Sequence, residues 1–284
     1  MSERYIDLHT HSNVSDGTDS PAELVKKAVD LGLGAIALTD HDTIDGIAEA
    51  KETIRKLGVE DSFRFIPGIE ISAGYKRKDI HILGLGVDEN NRQLIEALNE
   101  ARRNREERNV KMADNIAKDG VNISAKVLYE QNEGATITRA HFAKYLVENG
   151  YCKDMKAAFD KYLDADGPYY VPREYISPED AIRLIHAAGG KAILAHPLLY
   201  HLPEQELLTL MERLCRAGLD GVEAIYSSNI SNEEDYVRGL AKQYHLKISG
   251  GTDYHGANKA FLELGVGRGN MRIPMHILED MGLQ

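Results

Sequence analysis

Nine residues carry the chemistry open to this sequence. His9 and His11 stand two apart behind the apolar opening of RYIDLH, and Asp16 follows in a Ser/Gly/Asp-rich turn. His41, Glu70, His81, His196, Asp253 and His255 come later, each at or near an apolar run. If RYIDLH is a strand, side chains two apart share a face, so both imidazoles address one site. Six imidazoles and three carboxylates with no thiolate suit zinc, manganese or iron, rather than calcium or a cysteine-based structural zinc. Nine ligands exceed what one ion takes, which implies two or three divalent ions, with one carboxylate able to bridge a pair. A single histidine, His81 inside its apolar strand above all, reads equally well as a cap or as a buried ring satisfying backbone. Recurrence of the whole set, six of the 11 histidines, points to metal.

The elements that must position these residues alternate. RYIDLH, AIALTD, FRFIPGIEIS and DIHILGLGV read as strands, separated early on by SPAELVKKAVDLGLG and HDTIDGIAEAKETIRKLG, which read as helices. In the first helix Ser20 caps, Pro21 suits the first turn and a glycine ends it. Residues 90–175 break the rhythm with successive helices and no strand, as an inserted helical cap would. Alternation resumes through SPEDAIRLIHAAGG, KAILAHP, ELLTLMERLCRAG, DGVEAIY, NEEDYVRGLAKQYH and LKISGGTDYHG, and MRIPMHILEDMGLQ reads as a last short helix. This pattern predicts an α/β fold with a parallel sheet, open or closed into a barrel. In such a sheet the C-terminal strand ends share one face, where loops assemble sites. Ligands scattered over the whole sequence therefore converge.

Composition sets outer limits. A chain of 284 residues that is 43% hydrophobic is long enough for one large domain, or for one domain carrying an insertion. A formal charge of −11 argues against a surface that coats extended duplex nucleic acid. No run approaches a membrane span. Cys152 and Cys215 lack metal-knuckle or redox spacing, and a cytoplasmic protein with reduced cysteines is expected.

DLHTHSNVSDGTDSP, LTDHDT, GIEIS, the lone His81, AHP and GGTDYHG resemble, in order, the successive motifs of the PHP family, named for polymerase and histidinol phosphatase. The resemblance implies a distorted (βα)7 barrel over residues 1–89 and 176–284, interrupted by the cap at 90–175, with metals at the C-terminal strand ends. It further implies that His9, His11, Glu70 and Asp253 hold one ion and that Glu70 bridges to a second held by His81 and His196. Asp16, His41 and His255 would hold the third. Asp40 is expected to orient an imidazole, and His255 or a coordinated water to protonate the leaving group.

The insertion is similar to that of PHP phosphoesterases acting on nucleotides and RNA 5′ ends, which implies a nucleotide or short RNA substrate and hydrolysis by metal-activated water. Arg139 and His141 match its most recognisable part, with Arg139 a candidate phosphate clamp. Arg102, Arg105 and Arg108 recur every three residues and address either an anionic substrate or the interleaved Glu100, Glu106 and Glu107; Arg105 is the preferred contact. Many relatives in this branch carry a basic residue where this chain has Leu199, so either His201 or Lys259 supplies that charge or the substrate preference differs. A histidinol-phosphate type of phosphatase and a non-catalytic PHP module are the competing readings. Oligomeric state is open.

Overall fold

A computed structural model describes residues 4–76, 78–164, 166–172 and 175–283. Strands β1 (Tyr5–Thr10), β2 (Ala35–Leu38), β3 (Arg64–Tyr75), β4 (Lys78–Leu85), β5 (Lys191–Leu194), β6 (Gly221–Tyr226) and β7 (Lys247–Gly251) lie side by side in chain order. A short eighth strand, β8 (Ile273–Pro274), pairs antiparallel with the first half of β1 at Tyr5 and Ile6. The second half of β1 meets the exit of β7 instead. There His11 N–H donates to Tyr254 O at 2.9 Å, and Asp253 N–H donates to His9 O at 2.9 Å. The sheet thus curls into a nearly closed barrel with β8 wedged into the lower part of the seam. Gly251 is required at this closure, because a methyl there would overlap the His9 Cβ.

The sheet is not wholly parallel, as the alternation predicted. β4 runs antiparallel to both β3 and β5. Parallel neighbours need a crossover of about a dozen residues or more, whereas only residues 76 and 77 separate β3 from β4. The pair is therefore a hairpin, with Ser72 opposite His81. This reversal brings the beginning of β4 level with the ends of the parallel strands, which is why His81 can reach the other ligands. β8 departs from the sequence reading too: MRIP supplies a strand, and only His276–Asp280 of the tail is helical.

Helices α1 (Pro21–Asp30), α2 (Ile47–Leu57), α7 (Pro178–Ala187), α8 (Glu204–Ala217), α9 (Glu233–Tyr244) and α10 (His276–Asp280) belong to the barrel. Ser20 and Glu23 form a reciprocal capping box at α1, satisfying two orphan donors of the first turn. Ile6, Leu8, Ala35, Ala37, Leu83 and Ile193 fill the barrel interior over α10, while α7, α8 and α9 pack on the outer face of β3–β7.

The insertion contains α3 (Arg92–Ala117), α4 (Ala125–Gln131), α5 (Arg139–Glu148) and α6 (Met155–Ala158), the last running into a π-helical turn at Phe159–Leu163. Met112, Ile116, Phe142, Leu146 and Leu163 form an apolar cluster of their own. Leu94 and Leu98, in the first turns of α3, pack into the barrel's cluster. α3 is therefore a strut rooted in one core and ending in the other. Among the described residues no helix is long and apolar enough to cross a membrane.

Candidate metal centre

β1 delivers its histidines through a bulge. Asp7 is opposite Ile36 and Thr10 opposite Leu38, so β1 carries one residue more than β2 over this stretch. A bulge re-aims side chains: Asp7 bonds to Thr252 and Gly265, whereas His9 and His11 turn onto Glu70. Glu70, fully buried on β3, is the hub. Its Oε2 lies 3.3 Å from His9 Nε2, 3.1 Å from His11 Nε2 and 3.1 Å from His41 Nδ1. Its Oε1 lies 2.8 Å from His81 Nδ1 and 3.0 Å from His196 Nε2. On the far side, His255 Nε2 is 3.1 Å and His41 Nε2 3.8 Å from the Asp16 carboxylate. Asp253 Oδ1 stands 3.3–3.7 Å from His9, His11 and His255, while its Oδ2 is held by Tyr226 Oη at 2.7 Å and Lys259 Nζ at 2.6 Å.

Protein hydrogen bonding leaves this cluster unsatisfied. Glu70 Oε2 and His41 Nδ1 are buried and make no hydrogen bond. His9 Nε2 and His11 Nε2 face each other at 3.1 Å, although His9 Nδ1 is committed to a carboxylate. Ligand atoms around one ion at about 2.1 Å stand roughly 3 Å apart, so these spacings and this N/O donor set fit divalent cations. Among the described residues four overlapping groups qualify: His11, Asp16, His41 and His255; His9, Glu70 and His196; His9, His11 and Asp253; and His41, Glu70 and His81. Without ions, burial pushes the Glu70, Asp16 and Asp253 carboxyls up, but neighbouring cationic groups outweigh it and hold all three well below the usual range. Burial and the His255 charge hold the His11 ring well below its ordinary value.

Several groups that position the ligands have no counterpart in the sequence reading. Glu223, fully buried on β6, accepts from His9 Nδ1 at 3.0 Å and from His196 N–H at 2.8 Å. Such a carboxylate fixes the tautomer and aim of a ligating imidazole; its one sequence signal is the lone acid inside GVEAIY. Tyr200 Oη accepts from His81 N–H at 3.0 Å and donates to Ala195 O at 2.7 Å. It spans β4 and the exit of β5 where the strands part. Backbone strain also gathers here, with His196 and Asp253 at φ 26° and 56°, a region costly for side chains beyond glycine.

Asp40 acts differently from the expectation. No imidazole is among its hydrogen-bond partners: it accepts from Ser12 N–H at 2.8 Å, Ser12 Oγ at 2.6 Å and Ser15 Oγ at 2.6 Å. It therefore pins the loop that carries His11 and Asp16. Burial pushes its carboxyl up to about 6.

A cavity of about 170 Å³ opens beside the cluster, lined by Asp16, His41 and His81 together with Arg105, Arg108 and Arg139. Arg139 Nη2 is 3.1 Å from Asp79 and Nη1 donates to Leu163 O at 3.2 Å. Arg105 forms a buried pair with Asp42. Thr138 Oγ1 donates to Asp16 at 3.1 Å, tying the insertion to a ligand. His141 is buried, and its Nδ1 accepts the Thr138 N–H at 3.0 Å as part of the α5 cap. Burial lowers the His141 pKa, against the pull of Asp16. Lys259 reaches the cluster through Asp253. His201 is exposed, follows a short 3₁₀ turn and does not line this cavity. Lys259 does not line this cavity either, whose basic residues are Arg105, Arg108 and Arg139.

Comparison with known proteins agrees with this arrangement. Residues 7–171 match the PHP domain family. The chain is 36% identical over 249 residues to the 5′-3′ exoribonuclease Rnm of Escherichia coli, covering 88% of this chain and 84% of that protein. It is 34% identical over 266 residues to the 3′,5′-nucleoside bisphosphate phosphatase of Chromobacterium violaceum, covering 92% and 90%. Among solved structures, a Chromobacterium violaceum amidohydrolase with bound sulfate superposes with a TM-score of 0.84 at 33% identity, covering 92% and 90% of the two chains. A Bifidobacterium adolescentis protein assigned as a metal-dependent phosphoesterase does so at 0.85 and 28%, covering 98% and 95%. Matched over most of its length by these relatives and carrying the ligand cluster at its strand ends, this chain belongs to the PHP domain family.

Proposed function

We propose that this chain is a divalent-metal-dependent phosphoesterase acting on nucleotides: the 3′-phosphate of a nucleoside 3′,5′-bisphosphate, or the terminal linkage of a short 5′-phosphorylated RNA. The observation that carries this reading is one cavity lined by both the candidate ligating groups and three arginines. The names of the Escherichia coli and Chromobacterium violaceum relatives support it.

His9, His11, Glu70 and Asp253 would hold one manganese, iron or zinc ion, Glu70, His81 and His196 a second, and Asp16, His41 and His255 a third. Divalent ions so held supply water of lowered pKa and polarise phosphoryl oxygens. Hydrolysis adds the water oxygen to phosphorus, breaks the ester P–O bond and passes a proton to the departing alkoxide. His255 would hold its ion through Nε2 and its Nδ1 is used by Asp253 O at 2.8 Å, so the proton comes from water rather than from this ring. Arg139 clamps a second phosphate, while His141, buried and not among the residues lining the cavity, serves the α5 cap through Nδ1. Residues 90–175 act as a substrate-binding cap on the barrel of 1–89 and 176–284.

Initial rates with manganese on a nucleoside bisphosphate, a 5′-phosphorylated oligoribonucleotide and histidinol phosphate test this. The nucleotides should be turned over and histidinol phosphate should not. Preference for histidinol phosphate would overturn the substrate class, and inertness on all three would favour a non-catalytic module.

A further inference from the structure

The cavity beside the ligand cluster shares α3 arginines, step by step, with two others. Arg105 and Arg108 line the first. A second, of about 210 Å³, lies across Arg105 and is bounded by Arg102, Tyr129, Thr136 and Ile137. A third, of about 280 Å³, lies across Arg102 and has a largely apolar floor of Ile44, Ala48, Ile95 and Leu98, with Asn99 at its side. Each step away from the cluster follows α3 one turn towards its N-terminus and crosses an arginine. Residues three apart on a helix advance by about 4.5 Å. A nucleic-acid strand carries one charge per ~3.4 Å of axis when fully stacked, so a partly unstacked strand matches this repeat.

We propose that these cavities form a track for the nucleotides downstream of the scissile position, with Arg102 contacting a phosphate of the chain and the apolar floor beyond it receiving a base or ribose. The track makes the enzyme an oligonucleotide processor rather than a mononucleotide phosphatase, and so rests on the nucleotide reading given above. Carboxylates also face it. Asp42 pairs with Arg105, Asp45 lies 2.6 Å from Arg102, Glu106 borders the second cavity, and Glu89 borders the third, paired to Lys51. The Arg102–Asp45 pair is solvent-exposed, at 42% and 56% of the two side chains. Such pairs contribute only about 0–1 kcal/mol, so a phosphate can take Asp45's place. Arg105, held by buried Asp42, lines both the first and the second cavity.

The test uses the manganese-loaded protein and 3′-labelled, 5′-phosphorylated oligoribonucleotides of one to four units with phosphorothioate linkages that slow cleavage. Binding is read by fluorescence anisotropy over a range of salt. Affinity should rise about tenfold or more between one and three units, and the slope of log K against log salt should steepen by ~0.7 for each phosphate engaged. Arg102→Gln should remove about 0.7 from that slope for the trimer and weaken it several-fold more than the monomer, while Asp45→Asn should tighten the trimer. Affinity that stays flat beyond one unit, or identical slopes for the wild type and Arg102→Gln, overturns the track. If bisphosphate hydrolysis persists while length dependence is absent, only this inference fails. If no nucleotide binds at all, the functional reading fails with it.

Discussion

Replacing Glu223 by glutamine removes a charge from a residue that touches no part of the open cavity and should nevertheless disable metal binding. The carboxylate takes His9 Nδ1–H on one oxygen and His196 N–H on the other. Glutamine can satisfy only one of them. With its oxygen on His196 N–H, the amide donates to His9 Nδ1, moving the ring proton to Nε2, the nitrogen aimed at Glu70 and Asp253. With the amide flipped, His9 keeps its tautomer but two donors confront each other at 2.8 Å. Hydrogen bonds to a charged group contribute about 1.5–3 kcal/mol, and loss of a carboxylate behind a ligating histidine typically lowers metal affinity by about 10–100-fold. The two figures agree, since tenfold corresponds to about 1.4 kcal/mol.

The assay is calorimetric titration of manganese into chelator-stripped protein, paired with the metal concentration giving half-maximal hydrolysis. Glu223→Gln should shift both by one to two decades. Its thermal midpoint in chelator should fall much less than that of Glu223→Ala, which abandons both buried donors. Wild-type metal affinity in Glu223→Gln, or loss confined to folding, would refute the positioning role.

Other expectations are narrower. Chelation should abolish hydrolysis, and manganese should restore it, as measured by initial rates before and after dialysis. Arg139→Gln should raise KM for a nucleoside bisphosphate by about 10–100-fold, the loss of one charge-assisted contact, with a smaller effect on kcat. Tyr200→Phe strands His81 N–H and Ala195 C=O and should cost about 1–3 kcal/mol in urea unfolding, together with metal affinity. In stripped protein the Asp40 carboxyl, raised from 3.8 to about 6, favours the folded state most when protonated. Its contribution is therefore full below pH 3.8 and declines as pH rises towards 6. The stability of wild type minus that of Asp40→Asn should fall by about 1 kcal/mol between pH 5 and pH 7, and a rise would refute the assignment.

The clustering of these histidines and carboxylates was legible because most of them stand in or at the end of an apolar run, and it followed from strand ends sharing a face. What escaped were features that depend on pairing. The direction of β4 is set by the two residues between Tyr75 and Lys78, a spacing that apolar periodicity does not register. Glu223 looks like any outward-facing acid until β6 is closed into a barrel and its side chain meets His9. The bulge in β1 is the sharpest case. Period-two reasoning puts Asp7, His9 and His11 on one face, and for the two histidines that conclusion holds. Asp7 nevertheless accepts from Thr252 and Gly265 across the seam, because one extra residue falls between it and Thr10. Had β1 been regular, His9 and His11 would have followed Asp7 away from Glu70, and the cluster would lack the two ring nitrogens that face each other at 3.1 Å. The motif is therefore read correctly only once the register against β2 is known, because the extra residue between Asp7 and Thr10 leaves no mark on the apolar pattern.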